Sequence, residues 1–211
     1  MRAYHFLKDN MTGGYGTEPA WKIGEEREIK DGKIRLCEWG YHSSPNFYDA
    51  LNYAKGNMAC IVEVSQRIEK DSTKQVSRKR RLIDARNAEK VLRAWACDCA
   101  ERALKKAKVT DERSWKVIAI VRLYNEGKAT RIELAAARDA AWAAAGAAAG
   151  DAARDAASAA AWDAARATAG DAARDAAYAA GAAAGAAASA AEIKWQKRRL
   201  NWYMNKLFKG E

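Results

Sequence analysis

The chain has 211 residues, a formal net charge of +10 and a sequence pI of about 9.5. That length allows one large or two small domains. Arg and Asp interrupt its alanine-rich tract, so no apolar run reaches the ~18 residues of a membrane span, and the first residues lack the basic-then-apolar pattern of a secretory leader.

The charge is uneven. It sums to zero over 1–75, +8 over 76–134, −2 over 135–191 and +4 over 192–211. A basic middle and a basic tail predict an acidic partner, protein or nucleic acid, with a solvated basic surface as the alternative. The cysteines Cys37, Cys60, Cys97 and Cys99 contain no C-x-x-C pair. Cys97 and Cys99, two apart on a predicted helix, point about 200° apart. Reduced, buried thiols and no metal site are expected. Much of the apolar content is alanine, so the tryptophans are the best core candidates.

Met1 to Leu7 predicts a first strand, with Tyr4 and Phe6 on one face and His5 on the other. Gly13-Gly-Tyr-Gly reads as a flexible loop without the Lys-Ser/Thr of a phosphate-binding loop. Asp31-Gly32 signals a hairpin, and Ile34 to Cys37 reads as a strand ended by Gly40. Ser44-Pro45 opens a short helix to Ala54, closed by Gly56. Ala59 to Val64 is the strongest strand candidate. Lys70 to Arg81 reads as loop, then a short strand at Gln75-Val-Ser.

Near Asp84 the period changes from two to 3.6. Val91, Leu92, Trp95, Cys99, Ala103 and Leu104 share a helical face. Asp111 opens a second helix that Gly127 ends, and Thr130-Arg-Ile-Glu133 is a capping box for a third. From there to Ala191 the exceptions to alanine recur every four residues. The block Gly150 to Ser158 returns at Gly170 to Tyr178 with only its last residue changed. A four-residue step drifts about 40° per step on an α-helix, so antiparallel helices broken near Gly146/Gly150 or Gly170 are expected. Glu192 to Lys209 is a basic amphipathic helix.

The expected fold class is therefore α+β. Residues 1–82 form a small, curved, mainly antiparallel sheet domain, and residues 84–211 an all-α, alanine-rich domain with a basic C-terminal helix.

Four segments carry a resemblance: Tyr4-His5-Phe6-Leu7-Lys8, Trp21-Lys22-Ile23-Gly24, Leu36 to Ser44, and Asp49-Ala50-Leu51-Asn52-Tyr53-Ala54. They resemble a small domain common in phage and prophage proteins, without an assigned function and often followed by Ala-Ala-Arg-Asp helices. Leu92 to Ala145 is similar to immunity-protein-like helical modules. A more distant resemblance is to rifampicin-type ADP-ribosyltransferases, on Tyr4-His5, Tyr41-His42-Ser43 before Asp49-Ala50, and Ile61-Val62-Glu63-Val64 before Glu69 and Asp71. That likeness implies His5 on the nicotinamide ribose of NAD, Tyr41 stacked on nicotinamide, and Glu69 or Asp71 facing the positive charge that develops on the ribose. His42 and Ser43 complete the implied nucleotide cleft. Phe6-Leu7 replaces the enzymes' Gly-Thr, and no paired acid motif follows, so little or no NAD chemistry is expected.

Three function classes follow. The first is a phage-type accessory or anti-defence protein in the host cytoplasm. It would bind an acidic host protein or protein–nucleic-acid complex through Arg78, Lys79, Arg80, Arg81, Arg86, Lys90 and Arg93, with Lys194, Lys197, Arg198, Arg199 and Trp202 on the tail helix. Arg86, Lys90 and Arg93, spaced four and three apart, are read as one helix face. The second is a nucleotide or NAD-derivative binder or transferase, and the third a scaffold without ligand.

Overall fold

The structure is a computed structural model that describes residues 1–13, 18–147, 155 and 190–210. It is α+β and separates into two compact units, Met1–Ala88 with Leu207–Glu211, and Glu89–Lys206.

The first unit is built on one long hairpin. Strands β4 (Met58–Lys70) and β5 (Gln75–Asn87) pair antiparallel over almost their whole length. Asp71 makes the turn: its Oδ1 accepts from the Thr73 and Lys74 amides, both at 2.7 Å, the side-chain turn that Asp favours. Strand β1 (Arg2–Leu7) pairs with β4, and β2 (Glu26–Glu28) and β3 (Tyr41–Ser43) pair with β5, all antiparallel. Tyr4 and Ser44 exchange both backbone hydrogen bonds, at 2.9 and 2.8 Å. The sheet therefore bends until the end of β3 meets β1.

Period two sorts the side chains. Tyr4 and Phe6 turn toward Phe47 of the short helix α1 (Phe47–Leu51), with ring centroids at 4.4 and 6.1 Å. Asn46 caps that helix by accepting from the Asp49 amide. The opposite face holds a core of Ala3, Leu7, Trp21, Cys60, Val62, Val64, Leu82 and Ala85.

Strand β5 runs to Asn87, so the sequence expectation of a loop and a helix from Asp84 is corrected. The cause is a bulge. Ile61 faces Asp84 and Val62 faces Leu82, leaving Ile83 as the extra residue. Beyond it the buried position shifts from even to odd numbers, and the alternation that marks a strand is lost to the eye. Ile34 to Cys37 is no strand either. Arg35 pairs back with Trp39, and Cys37 has a φ of 69°, which makes the segment a tight turn.

The second unit is helical: α2 (Glu89–Lys106), α3 (Glu112–Asn125), α4 (Arg131–Ala147) and α5 (Ala190–Lys209, whose last three residues count with the first unit). Asp111 caps α3, accepting from the Arg113 amide. Thr130 and Glu133 form the full reciprocal box, the Glu133 amide donating to Thr130 Oγ1 at 3.2 Å and the Thr130 amide to Glu133 Oε2 at 2.7 Å. Helix α4 continues through Gly146; the remaining alanine tract, with Gly150 and Gly170, lies outside the described residues.

Helix α5 docks through polar as well as apolar groups. Leu200 and Met204 are buried, and Trp95 Nε1 donates to the Gln196 carbonyl at 3.1 Å. Glu192 is 1 % exposed and its carboxylate bridges Arg102, at 2.9 Å, and Lys106. Both cations are over a third exposed and regain water if the acid is removed. Glu192→Ala is therefore expected to cost about 2 kcal/mol, below the full penalty of a broken buried pair. Urea unfolding followed by helical circular dichroism measures it, and an unchanged midpoint would show that α5 docks through its apolar face alone.

Candidate functional site

Residues 35–54, rich in aromatic and imidazole side chains, turn at Gly40. Its φ is +135°, and a Cβ there would lie 2.3 Å from Val76 Cγ2 and 2.8 Å from Ile34 Cγ2, so only glycine fits. The next turn is held by His42. Its Nε2 accepts from the Cys37 amide at 2.9 Å while Nδ1 lies 3.0 Å from the Gly40 carbonyl. An amide can only donate, so Nε2 carries no proton and Nδ1–H donates to Gly40. The ring is thus a neutral clasp on residues 37–42.

Ser43 is buried and accepts from Gln75 Nε2 at 3.2 Å. His5 is half-buried opposite Cys60, on the core face. Burial, then the charge of Arg80, then His42, holds its pKa well below the usual histidine value. Burial also lowers His42, with Lys74 and Arg80 adding to the effect against the Gly40 bond.

Trp21, Tyr41, Arg27 and Arg80 form the centre of this face. Arg27 and Arg80 stand directly opposite each other across β2 and β5. Both guanidiniums lie over the Trp21 ring, at 4.1 and 4.4 Å, and Arg80 also lies 4.9 Å from the Tyr41 centroid. The Trp21 and Tyr41 rings meet edge to face at 5.6 Å.

The two arginines have very different partners. Arg27 binds Glu25 at 2.7 and 3.0 Å, Glu18 at 3.3 Å, and the carbonyls of Pro19 and Ala20. Arg80 is 4 % exposed, has no carboxylate within 4.0 Å among the described residues, and donates one long bond, 3.4 Å, to the His42 carbonyl. Its cation–π contacts contribute roughly 0.5–2 kcal/mol each. Removing a charge from water without a paired acid costs several kcal/mol. Trp21 Nε1 in the same stack is buried with no hydrogen-bond partner.

Glu69 and Asp71 do not join this cluster. The Glu69 carboxylate accepts from the Leu36 amide at 2.9 Å, and Asp71 forms the hairpin turn. Both acids are engaged with backbone amides.

Arg78 to Arg81 and Arg86 are not helical, which corrects the reading of Arg86, Lys90 and Arg93 as one helix face. Arg78 to Arg81 lie on strand β5 and alternate between faces. Arg78 donates to the carbonyls of Ile29, Lys30 and Gly32. Lys79 pairs with Glu26 at 2.7 Å, Arg80 is buried, and Arg81 is exposed. Arg86 is also on β5, beside Asp84, so it shares no helix face with Lys90 and Arg93. Lys90 is exposed, whereas Arg93 pairs with Glu89 and lies over Tyr124.

In the helical unit Arg199 pairs with Asp98 at 2.7 Å, within a network that includes Arg122, Glu101 and Tyr203. It belongs to a charged cavity of about 260 Å³ lined by α2 and α5. Lys197 is half-buried. The exposed positions of α5 include Lys194, Arg198, Trp202 and Lys206, each four residues from the last, with Trp202 44 % exposed. Arg199 and Lys206 each sit 4.6 Å from the Trp202 ring. Expecting tryptophans in the core therefore fails here, and at Trp39, which is 58 % exposed. Cys37 likewise is exposed, while Cys60, Cys97 and Cys99 are buried, all as free thiols.

Among the described residues no helix is long and apolar enough to cross a membrane, and no group of His, Cys, Asp and Glu could hold a metal. The first unit is thus a small antiparallel-sheet domain with an aromatic–arginine cluster on its core face. Residues 1–94, which contain it, match a family model described as a domain of unknown function, DUF7666. No curated protein and no solved structure matches the chain.

The neutral histidines make acid stability a test of this geometry. The unfolded chain takes up protons near the ordinary histidine pKa of 6.5, but the folded chain resists them. Stability is therefore fully present above pH 6.5 and falls as the pH drops below it, by at most about 1.4 kcal/mol per pH unit for each histidine. Urea unfolding between pH 7.5 and 5 measures the loss, above the range where carboxylates titrate. The double variant His5→Phe/His42→Gln is expected to flatten it. An equal slope in both proteins would show that neither ring is held neutral.

Proposed function

We propose that the protein is a non-enzymatic, phage-type accessory protein that binds and blocks an acidic macromolecule of host defence, protein or protein–nucleic-acid complex. The supporting observation is the exposed stripe Lys194, Arg198, Trp202 and Lys206 on α5. Most other described cations of the helical unit are engaged by its own acids, as Arg102, Lys105, Arg122 and Arg199 are. Charges on this stripe steer an acidic partner toward it. An exposed, cation-flanked tryptophan is the type of side chain that anchors an interface. The host-defence target and the host-cytoplasmic setting rest on the phage resemblance of residues 4–54.

The test is plaque formation on host strains carrying individual defence systems, with the protein supplied in trans. The wild type is expected to restore plating on at least one strain. The folded variant Lys194→Glu/Arg198→Glu/Lys206→Glu is expected to lose that rescue, with affinity for the captured target reduced at least about tenfold, or about 1.4 kcal/mol. Full rescue by the variant would make the stripe a solvated face.

The alternative, NAD-dependent ADP-ribosyl transfer in the first unit, has less support. Arg80 and Trp21 already cover the Tyr41 ring, and Glu69 and Asp71 are tied to amides. The pure protein is expected to release no nicotinamide from NAD. Turnover that disappears in His5→Ala or Tyr41→Ala would reverse this order.

A further inference from the structure

A second binding site is indicated in the first unit, independent of the α5 stripe. Arg80 faces Val64 across the hairpin and lies against the Trp21 ring, beside a core that also holds Leu82. Glu18 acts on the Arg80 charge, but no acid among the described residues comes within 4.0 Å of it. Glu25 holds Arg27 by two hydrogen bonds, and Glu18 lies against the same guanidinium. The neighbouring Trp21 Nε1–H is a second donor without an acceptor. Buried donors in folded proteins nearly always have partners, and an exception calls for an explanation. Here a cation and an N–H in one aromatic stack both lack what the same kind of group would supply, an anionic oxygen.

We propose that Arg80 and Trp21 bind the phosphate group of a small phosphorylated molecule. A guanidinium fork grips two oxygens of a phosphate in parallel. The indole N–H supplies a donor for a third oxygen, which a carboxylate does not have. The rings of Trp21 and Tyr41 support the guanidinium from the side, so it is pre-oriented before the ligand arrives. Glu18, whose side chain is 25 % exposed, stands at the edge of the cluster. Its negative charge opposes an incoming anion, and its carboxylate must turn outward when the ligand enters.

This arrangement predicts substitutions of opposite sign, which a purely structural arginine would not produce. The measurements are isothermal titration and thermal unfolding of the full chain with inorganic phosphate and pyrophosphate, then AMP and ADP. Acetate and chloride at equal ionic strength are the controls. Wild-type protein is expected to show saturable stabilisation by phosphate or a nucleotide, well above acetate. Arg80→Met should abolish it while leaving the ligand-free melting temperature unchanged or raised, because an unpaired buried charge has been replaced by an apolar chain. Trp21→Phe keeps the ring and removes the donor, and should weaken binding about tenfold. Glu18→Gln removes the competing charge and should tighten binding several-fold. The proposal is overturned if wild-type protein shows no saturable binding of any of these phosphates, or if acetate binds equally well. It is also overturned if Arg80→Met lowers the ligand-free melting temperature and keeps the phosphate response, since Arg80 would then be a structural strut.

Discussion

The register of the β4–β5 hairpin is the constraint on which the first unit depends. Each of the other three strands pairs with one of these two, and the core face is defined by which residues of Met58–Asn87 turn inward. Side chains alternate along a strand, so a slip of one residue would exchange the two faces entirely. The Asp71 turn closes the hairpin, an irregularity between Arg67 and Glu69 shifts the register by one residue, and the bulge at Ile83 shifts it back. Between them Val64 faces Arg80, and a guanidinium enters the core beside Trp21.

The rest of the aromatic cluster follows from that placement. Arg27 comes opposite Arg80, takes both nearby acids and also binds the carbonyls of Pro19 and Ala20, which fixes the chain that leads into Trp21. Tyr41 arrives on β3 under the His42 clasp, and Gly40 allows the backbone to approach Val76 and Ile34. The helical unit follows another rule. Many of its described charges are matched within the unit, around Asp98 and the buried Glu192, and α5 carries exposed cations beside Trp202.

Features encoded by neighbouring residues were legible in the sequence. Thr130 and Glu133 announce a capping box, Asp111 a helix start, and the 3.6 period from Val91 to Leu104 helix α2. The parity of Tyr4, Phe6 and His5 on β1 reads directly from alternation. Features that depend on distant partners were not legible. The arginine-rich residues 78–81 look like a basic surface patch because nothing local reveals that Arg80 faces Val64. Strand β5 looks short in sequence because the basic run 78–81 hides its alternation and the bulge at Ile83 then breaks period two. The chemistry of His42 depends on two backbone groups of a turn whose path is fixed by the positive φ of Cys37 and Gly40. Trp21 was visible as an aromatic, but its unpartnered N–H was not.

Cross-strand nuclear Overhauser contacts test the hairpin register, and with it the buried guanidinium, most directly. The account predicts contacts that pair Val64 with Arg80 and Cys60 with Ala85, together with slow amide exchange along β5 through the bulge. Contacts that instead pair Val64 with Lys79 or Arg81 would turn Arg80 to solvent and contradict it.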